Sequence, residues 1–321
     1  MSRSTIPYSM FELQRSADEA RRASKLSTIY HKGQERIWDG RDVLGELLDK
    51  HGGIHANAEV RGAIGRIFSV IMWGELAAWR ISAQLADRIE PLEAKMAATS
   101  QAHDEARHFY VLYDYLVALD YPPGEIDRAS HALLDLVLRE DDLGLKLMGM
   151  QLMIETIAIT IFQNVRKSGC EPVLCELLPY YERDEARHIG LGIQYLPDLL
   201  KEGGRLKIPR MTVYNLRLIF RALMSLQVLE PDLATLGIPA SEMNRLGIQK
   251  QQQVFDEMWD NFGRTHRPVE KQIVRLVDTV TEAWFPPDDA RGSVRLRAQA
   301  AWRMWRHGGR QKVEAALGVA A

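Results

Sequence analysis

The sequence predicts an all-α protein: a four-helix bundle with additional helices before and after it. Three observations carry this expectation. Apolar residues recur at helical spacing through most of the chain, with no convincing alternating run for a strand. The pentapeptide Asp-Glu-Ala-Arg-His occurs twice, at Asp104 to His108 and at Asp184 to His188. A lone glutamate stands 30 residues before the glutamate of each copy, Glu75 before Glu105 and Glu155 before Glu185, so the two sets are offset by 80 residues.

The helices are expected in the following order. A first stretch covers about Ser9 to Lys25 and a second about Gln34 to Asp49, closed by His51-Gly52-Gly53. The bundle begins near Ala56, and its first helix runs to about Ile89. Its second runs from Pro91 to about Leu119, where Asp120-Tyr121-Pro122-Pro123-Gly124 ends it. A short helix near Asp127 to Leu138 precedes the third, about Asp141 to Lys167, which Ser168-Gly169 stops. The fourth runs from Pro172 to about Leu196. Pro91 and Pro172 fall where a first helical turn tolerates proline. Beyond Gly203-Gly204 more helix is expected at about Met211 to Leu229, Ser241 to Phe262, Pro268 to Trp284 and Val294 to Leu317. The chain thus reads as one all-helical domain, 1–321, with the bundle core at 56–200 and extra helices of 205–321 packed on it.

Spacing turns the repeat into geometry. The midpoint of Glu75 and Glu105 is residue 90, at the turn before Pro91, and that of Glu155 and Glu185 is residue 170, just after Gly169. In an antiparallel helical hairpin, residues equidistant from the turn lie at one height. Fifteen residues of helix put all four glutamates ~22 Å from the turn of their own hairpin. Glu and His at i and i+3 share a face, so both members of each motif can point inward. The register identifies an internal duplication of a helical hairpin.

The residues in that register suit metal. Glu155 is the only formal charge between Lys146 and Arg166, and Glu75 the only one between Arg66 and Arg80. A carboxylate buried among apolar side chains needs a cation. Four carboxylates and two imidazoles (Glu75, Glu105, His108, Glu155, Glu185, His188) form the ligand set of a two-metal site in a helical bundle. Their oxygen-rich character favours two iron ions, or one manganese and one iron. Glu75, Glu105 and His108 are expected on one metal and Glu185 and His188 on the other, with Glu155 completing or bridging the second. Asp104 and Asp184, with Arg107 and Arg187, are expected to support the ligands, each aspartate accepting a hydrogen bond from a ligating imidazole. Gln101, Gln151 and Tyr181 lie one turn before ligand glutamates and are candidates for a dioxygen or substrate pocket, whose apolar lining would suit a hydrophobic molecule.

Composition bounds the alternatives. The net charge is −2, with 46% hydrophobic and 26% charged residues, so nothing global points to nucleic acid or an anionic membrane. Cys170 and Cys175 are the only cysteines, in a C-x4-C spacing that matches no paired metal-binding motif. No secretory signal or membrane span is expected, since Glu75 and Glu155 interrupt the longest uncharged runs, and a cytoplasmic protein is the default. Residues 291 to 312 hold six arginines and Lys312, with Trp302 and Trp305 interleaved and no acid among them. This stretch is either a solvated helix face or a docking surface for an acidic partner.

Taken together, these motifs resemble the ferritin-like di-iron carboxylate superfamily, its oxidase and oxygenase branch in particular, which is related to ribonucleotide reductase small subunits and bacterial multicomponent monooxygenase hydroxylases. The resemblance covers about residues 56 to 200. It implies an enzyme: an O2-dependent di-iron or Mn/Fe oxidoreductase that hydroxylates, desaturates or N-oxygenates a small hydrophobic substrate, free or carrier-bound. It also implies an external electron donor such as a ferredoxin and its reductase, and a homodimer. The alternative within the superfamily is a ferroxidase, peroxide scavenger or metal-storage protein with no organic substrate. Departures narrow the choice. Leu112 stands where radical-storing small subunits place a tyrosine, and Tyr181 where N-oxygenases place an extra histidine.

Overall fold

The computed structural model describes residues 23–202, 207–262, 279–281, 283–285 and 293–307, and among these every regular element is helical. Among the described residues, two short helices precede the bundle, α1 (Ser24–Glu35) and α2 (Gly40–His51). The bundle is built from α3 (Ala58–Arg88), α4 (Leu92–Ala118), α7 (Glu155–Ser168) and α8 (Pro172–Glu202). Between its halves lie α5 (Arg128–Leu138) and the short α6 (Leu143–Leu147). Helices α9 (Lys207–Thr235), α10 (Ala240–Phe262) and α11 (Val294–His307) follow.

Local chemistry sets the helix ends. Asp39, Asn57, Asp127 and Asp142 each accept backbone N–H bonds as N-caps of α2, α3, α5 and α6. Glu171 does the same for α8, with Val173 N at 3.1 Å and Leu174 N at 2.7 Å, while the Tyr115 hydroxyl donates to its Oε2. Gly169 closes α7 in the left-handed conformation (φ 62°), which a Cβ would strain. Pro179 and Pro197 lie within α8, which runs on to Glu202, six residues past the sequence-based end.

The third bundle helix departs from expectation in a consequential way. It is not one α-helix. Met148–Ile154 winds as a π-helix between α6 and α7, and the Glu155 N–H bonds to Met150 O. This wider turn changes the angular relation of Gln151 to Glu155, and such segments are frequent at functional sites. Gly192 of α8 passes close over it: a Cβ there would lie 2.6 Å from Leu152 Cδ2 and 2.9 Å from Gln151 Cβ.

At the N-terminus, the expected stretch from Ser9 lies largely outside the described residues. The expected second helix is corrected: Gln34 and Glu35 end α1, and α2 starts only at Gly40, after its Asp39 cap. Pro268 to Trp284 lies mostly outside the described residues, as does the end of the last helix. Leu143–Ser168 is long and apolar enough to cross a membrane, but it carries Glu155 and 83% of its most apolar window is buried inside the protein.

Packing locates the centre. Helix α3 packs along α4, α7 along α8, and α4 against α8; α1 and α2 cover α4 and α8. Helix α9 lies on α5 and α3, and α10 on α8 and α7. Among the described residues, the buried apolar side chains fall mainly into two clusters. One holds Ile64, Phe68, Leu112, Leu116, Phe162, Leu174 and Tyr181; the other holds Ile81, Leu85, Ala94, Leu147, Leu152, Leu191 and Leu196. The α3–α4 turn therefore lies at the end where α7 and α8 are open, and the reverse holds for the α7–α8 turn. A polar layer divides the clusters on all four helices, at the level of Glu75, Glu105, Glu155 and Glu185.

Candidate metal centre

All six charged side chains of the repeat converge in that layer, and all are buried. Two groups form within it. Glu75, Glu105, His108 and Glu185 bring one ligand atom each within 4.8 Å of one another, and so do Glu105, Glu155, Glu185 and His188. Glu105 and Glu185 therefore belong to both groups, while Glu75 and Glu155 each belong to one. The expected division placed Glu105 in one set and Glu185 in the other. Sequence spacing gave the height of these carboxylates but not which pair lies between the two positions.

Each histidine presents Nδ1 to the carboxylates. His108 Nδ1 lies 3.5, 3.4 and 3.1 Å from oxygens of Glu75, Glu105 and Glu185. His188 Nδ1 lies 2.7 Å from Glu185 Oε2 and 3.1 Å from Glu105 Oε1. His108 Nδ1, Glu105 Oε2 and Glu185 Oε1 are nevertheless buried without a hydrogen-bond partner. They crowd one buried space among the carboxylates, which is the arrangement a bound cation completes. The donor set suits iron or manganese. The cluster fits a dinuclear site.

Electrostatics agree with that fit. Burial, then the charge of Glu185, pushes Glu75 well above the usual carboxylate range. Burial, then Glu185 and Glu105, does the same to Glu155. Burial opposes ionisation of Glu105 and Glu185 as well, but contacts with His188 and His108 hold both below the usual range. Burial also opposes charge on the imidazoles. The surrounding carboxylates outweigh it, and both histidines are raised well above their ordinary value. Without a cation, the centre holds its charge down by binding protons.

Behind the ligands the two halves cross. His108 Nε2 lies 3.3 Å from Asp184 Oδ2, and His188 Nε2 lies 3.4 Å from Asp104 Oδ2. Each aspartate thus turns the histidine of the opposite repeat so that Nδ1 points inward. Arg107 NH2 reaches Asp104 at 2.6 Å and Asp184 at 2.8 Å; Arg187 reaches Asp104 at 2.9 Å and Asp184 at 2.8 Å. Burial opposes ionisation of both aspartates, but histidine and arginine contacts hold them low.

The three pocket candidates are placed differently from one another. Gln101 Nε2 donates to Glu105 Oε1 at 2.9 Å and to Glu155 Oε1 at 3.0 Å, so it touches two of the six carboxylate and imidazole side chains. Gln151, on the π-helical turn, donates through Nε2 to Gln101 Oε1 at 3.1 Å. The Tyr181 ring stacks on His108 at 4.4 Å and its hydroxyl donates to the His108 carbonyl at 2.9 Å, so it braces that histidine.

Sequence reasoning missed Trp38. Its Nε1 donates to Asp184 Oδ2 at 2.7 Å, and Arg107 lies 4.7 Å over its ring. Trp38 sits in a short linker 146 residues from Asp184 in the chain, and no local pattern pointed to it.

No protein-family profile matches the chain, and no curated protein matches it significantly. Solved structures do. A Synechococcus protein described as having aldehyde deformylating oxidase activity superposes with a TM-score of 0.59 at 18% identity, over 68% of this chain and 97% of its own. A variant of an R2-like ligand-binding oxidase with a reconstituted Mn/Fe cofactor gives 0.60 at 17% identity, over 72% and 92%. Another variant of such an oxidase, carrying Fe/Fe, gives 0.54 at 15% over the same shares. The fold is ferritin-like. In this ferritin-like chain the buried carboxylate–histidine layer lies within the bundle, and two of these neighbours hold dinuclear cofactors.

Proposed function

We propose that the protein is a dinuclear metal oxidoreductase that uses dioxygen to oxidise a hydrophobic organic substrate. Six side chains would hold the metals. Glu75 and His108 serve one position, Glu155 and His188 the other, and Glu105 and Glu185 are shared. Two iron ions, or one manganese and one iron, would supply the redox chemistry that activates dioxygen. The protein's own contribution is placement. Asp184 and Asp104 keep a proton on each Nε2, so each Nδ1 lone pair is free for a metal. Tyr181 fixes the ring plane of His108. The apolar clusters above and below the layer exclude water from it.

The observation that carries the proposal is the set of inward-facing, buried and unpartnered ligand atoms, in a fold shared with oxidases. Within it we take residues 1–321 as one cytoplasmic, all-helical domain that pairs as a homodimer. Electrons would come from an external donor such as a ferredoxin, and the basic helix α11 is a candidate place for it to dock. Anaerobic loading with Fe(II), followed by dioxygen, a reductant and a panel of long-chain alcohols, aldehydes, fatty acids and arylamines, tests the proposal. An oxidised product formed in proportion to dioxygen consumed is the expected result. Dioxygen consumption that leaves every compound unaltered would instead support a ferroxidase or storage role.

A further inference from the structure

The duplication is broken on one side of the centre. The 80-residue offset pairs Gln101 with Tyr181 and Ile71 with Gln151, so both amides stand beside the Glu155 position and have no amide counterpart beside Glu75. Their orientations are fixed in sequence. Glu105 and Glu155, as metal-holding carboxylates, only accept, so the Gln101 atom 2.9 and 3.0 Å from them is the NH2 group. Gln101 Oε1 then faces Gln151, which must offer its own NH2 at 3.1 Å. What remains is Gln151 Oε1, on a fully buried side chain and without a partner. The chain of amides ends in an acceptor and not in a donor.

A buried carbonyl oxygen without a donor is unfavourable, and a group carrying an O–H or N–H relieves it. Gln151 has little freedom to turn away. It sits on the π-helical turn immediately before Glu155, and α8 passes so close at Gly192 that a Cβ there would lie 2.9 Å from the Gln151 Cβ.

We infer that Gln151 Oε1 accepts a hydrogen bond from the molecule that binds beside the Glu155 metal position, and so selects apolar compounds bearing a neutral hydroxyl or amine N–H. That this molecule is the one oxidised rests on the function proposed above. Gln151 is then a specificity-determining residue, with Gln101 as the residue that positions its amide.

The test compares 1-octanol with octyl methyl ether, which keeps the oxygen but lacks the proton. Binding is followed by calorimetry on the Mn(II)-loaded protein, so no turnover is needed. Octanol is expected to bind roughly five- to tenfold more tightly than the ether, the effect of about one neutral hydrogen bond. Gln151→Leu brings the two affinities together, and Gln151→Met serves the same purpose should the leucine variant not fold. Gln101→Leu frees the Gln151 amide to turn and also narrows the gap. Equal affinities in the wild type, no binding of either probe, or a preference that survives Gln151→Leu would overturn the inference. So would an ordered water that stays on Gln151 Oε1 with octanol bound. Manganese content is measured first: failure to load metal counts against the proposed function, whereas full loading without discrimination counts only against the role of Gln151.

Discussion

His108 and Asp184 belong to opposite halves of the duplicated hairpin, yet His108 Nε2 lies 3.3 Å from Asp184 Oδ2. The same crossing joins His188 to Asp104. Each half of the repeat thus orients the ligand of the other, and neither hairpin can present its histidine correctly alone. Asp184→Asn keeps the shape but can offer an NH2 where an acceptor is needed. The expected result is a loss of metal affinity of about 10- to 100-fold, the usual size of such an effect. Competition with a coloured chelator measures it, and an unchanged affinity would rule out the orienting role.

Tyr181 gives a contrasting case. Tyr181→Phe removes the bond to the His108 carbonyl but keeps the stacked ring. It should cost about 1 kcal/mol of stability in chemical denaturation, as one buried hydrogen bond does. Metal stoichiometry should be unchanged. A variant of wild-type stability that no longer binds metal would place Tyr181 among the ligands instead.

Gly192 tests the tight passage of α8 over the π-helical turn. A Cβ at this position meets Leu152 and Gln151 closer than ordinary contact allows. Gly192→Ala is therefore expected to destabilise the protein by about 1–3 kcal/mol through overpacking. A thermal unfolding curve matching the wild type would mean that the passage has slack.

The pH dependence follows from the protons held at the centre. Glu75, Glu155, His108 and His188 all have folded pKa values raised above the ordinary 4.5 and 6.5. Stability that these groups lend the metal-free protein is present at low pH and is lost as pH rises through the raised values. Divalent ions must displace the same protons, so their affinity rises with pH. Between about pH 6 and 8.5 the Tm of metal-free protein should fall, while the gain in Tm on adding Mn(II) should grow. A gain that stays flat across this range would contradict the assigned protonation.

Much of this was legible in the sequence because helix geometry is periodic. Equal spacing of Glu75 and Glu105 about residue 90, and of Glu155 and Glu185 about residue 170, fixed both hairpins and the height of the site. Isolation of Glu75 and Glu155 among apolar residues marked them as buried. What was not legible depends on contacts remote in the chain or on small departures from regularity. Trp38 reaches Asp184 from a linker before the bundle. The π-helical turn at Met148–Ile154 looks like ordinary apolar helix in composition. Tyr181 shares its register with Gln101, and only packing shows that one braces a histidine while the other bonds two carboxylates. Sharing of Glu105 and Glu185 is likewise a matter of rotamers, which spacing does not contain.

Metal content of the purified, reconstituted protein tests the central claim most directly. Elemental analysis after anaerobic loading with Fe(II), or with Mn(II) and Fe(II), should give two ions per chain for the wild type. Glu75→Ala should keep one, because it touches a single position, and Glu105→Ala should lose both, because it belongs to each. A wild-type protein that holds no iron or manganese above background after loading would contradict the account.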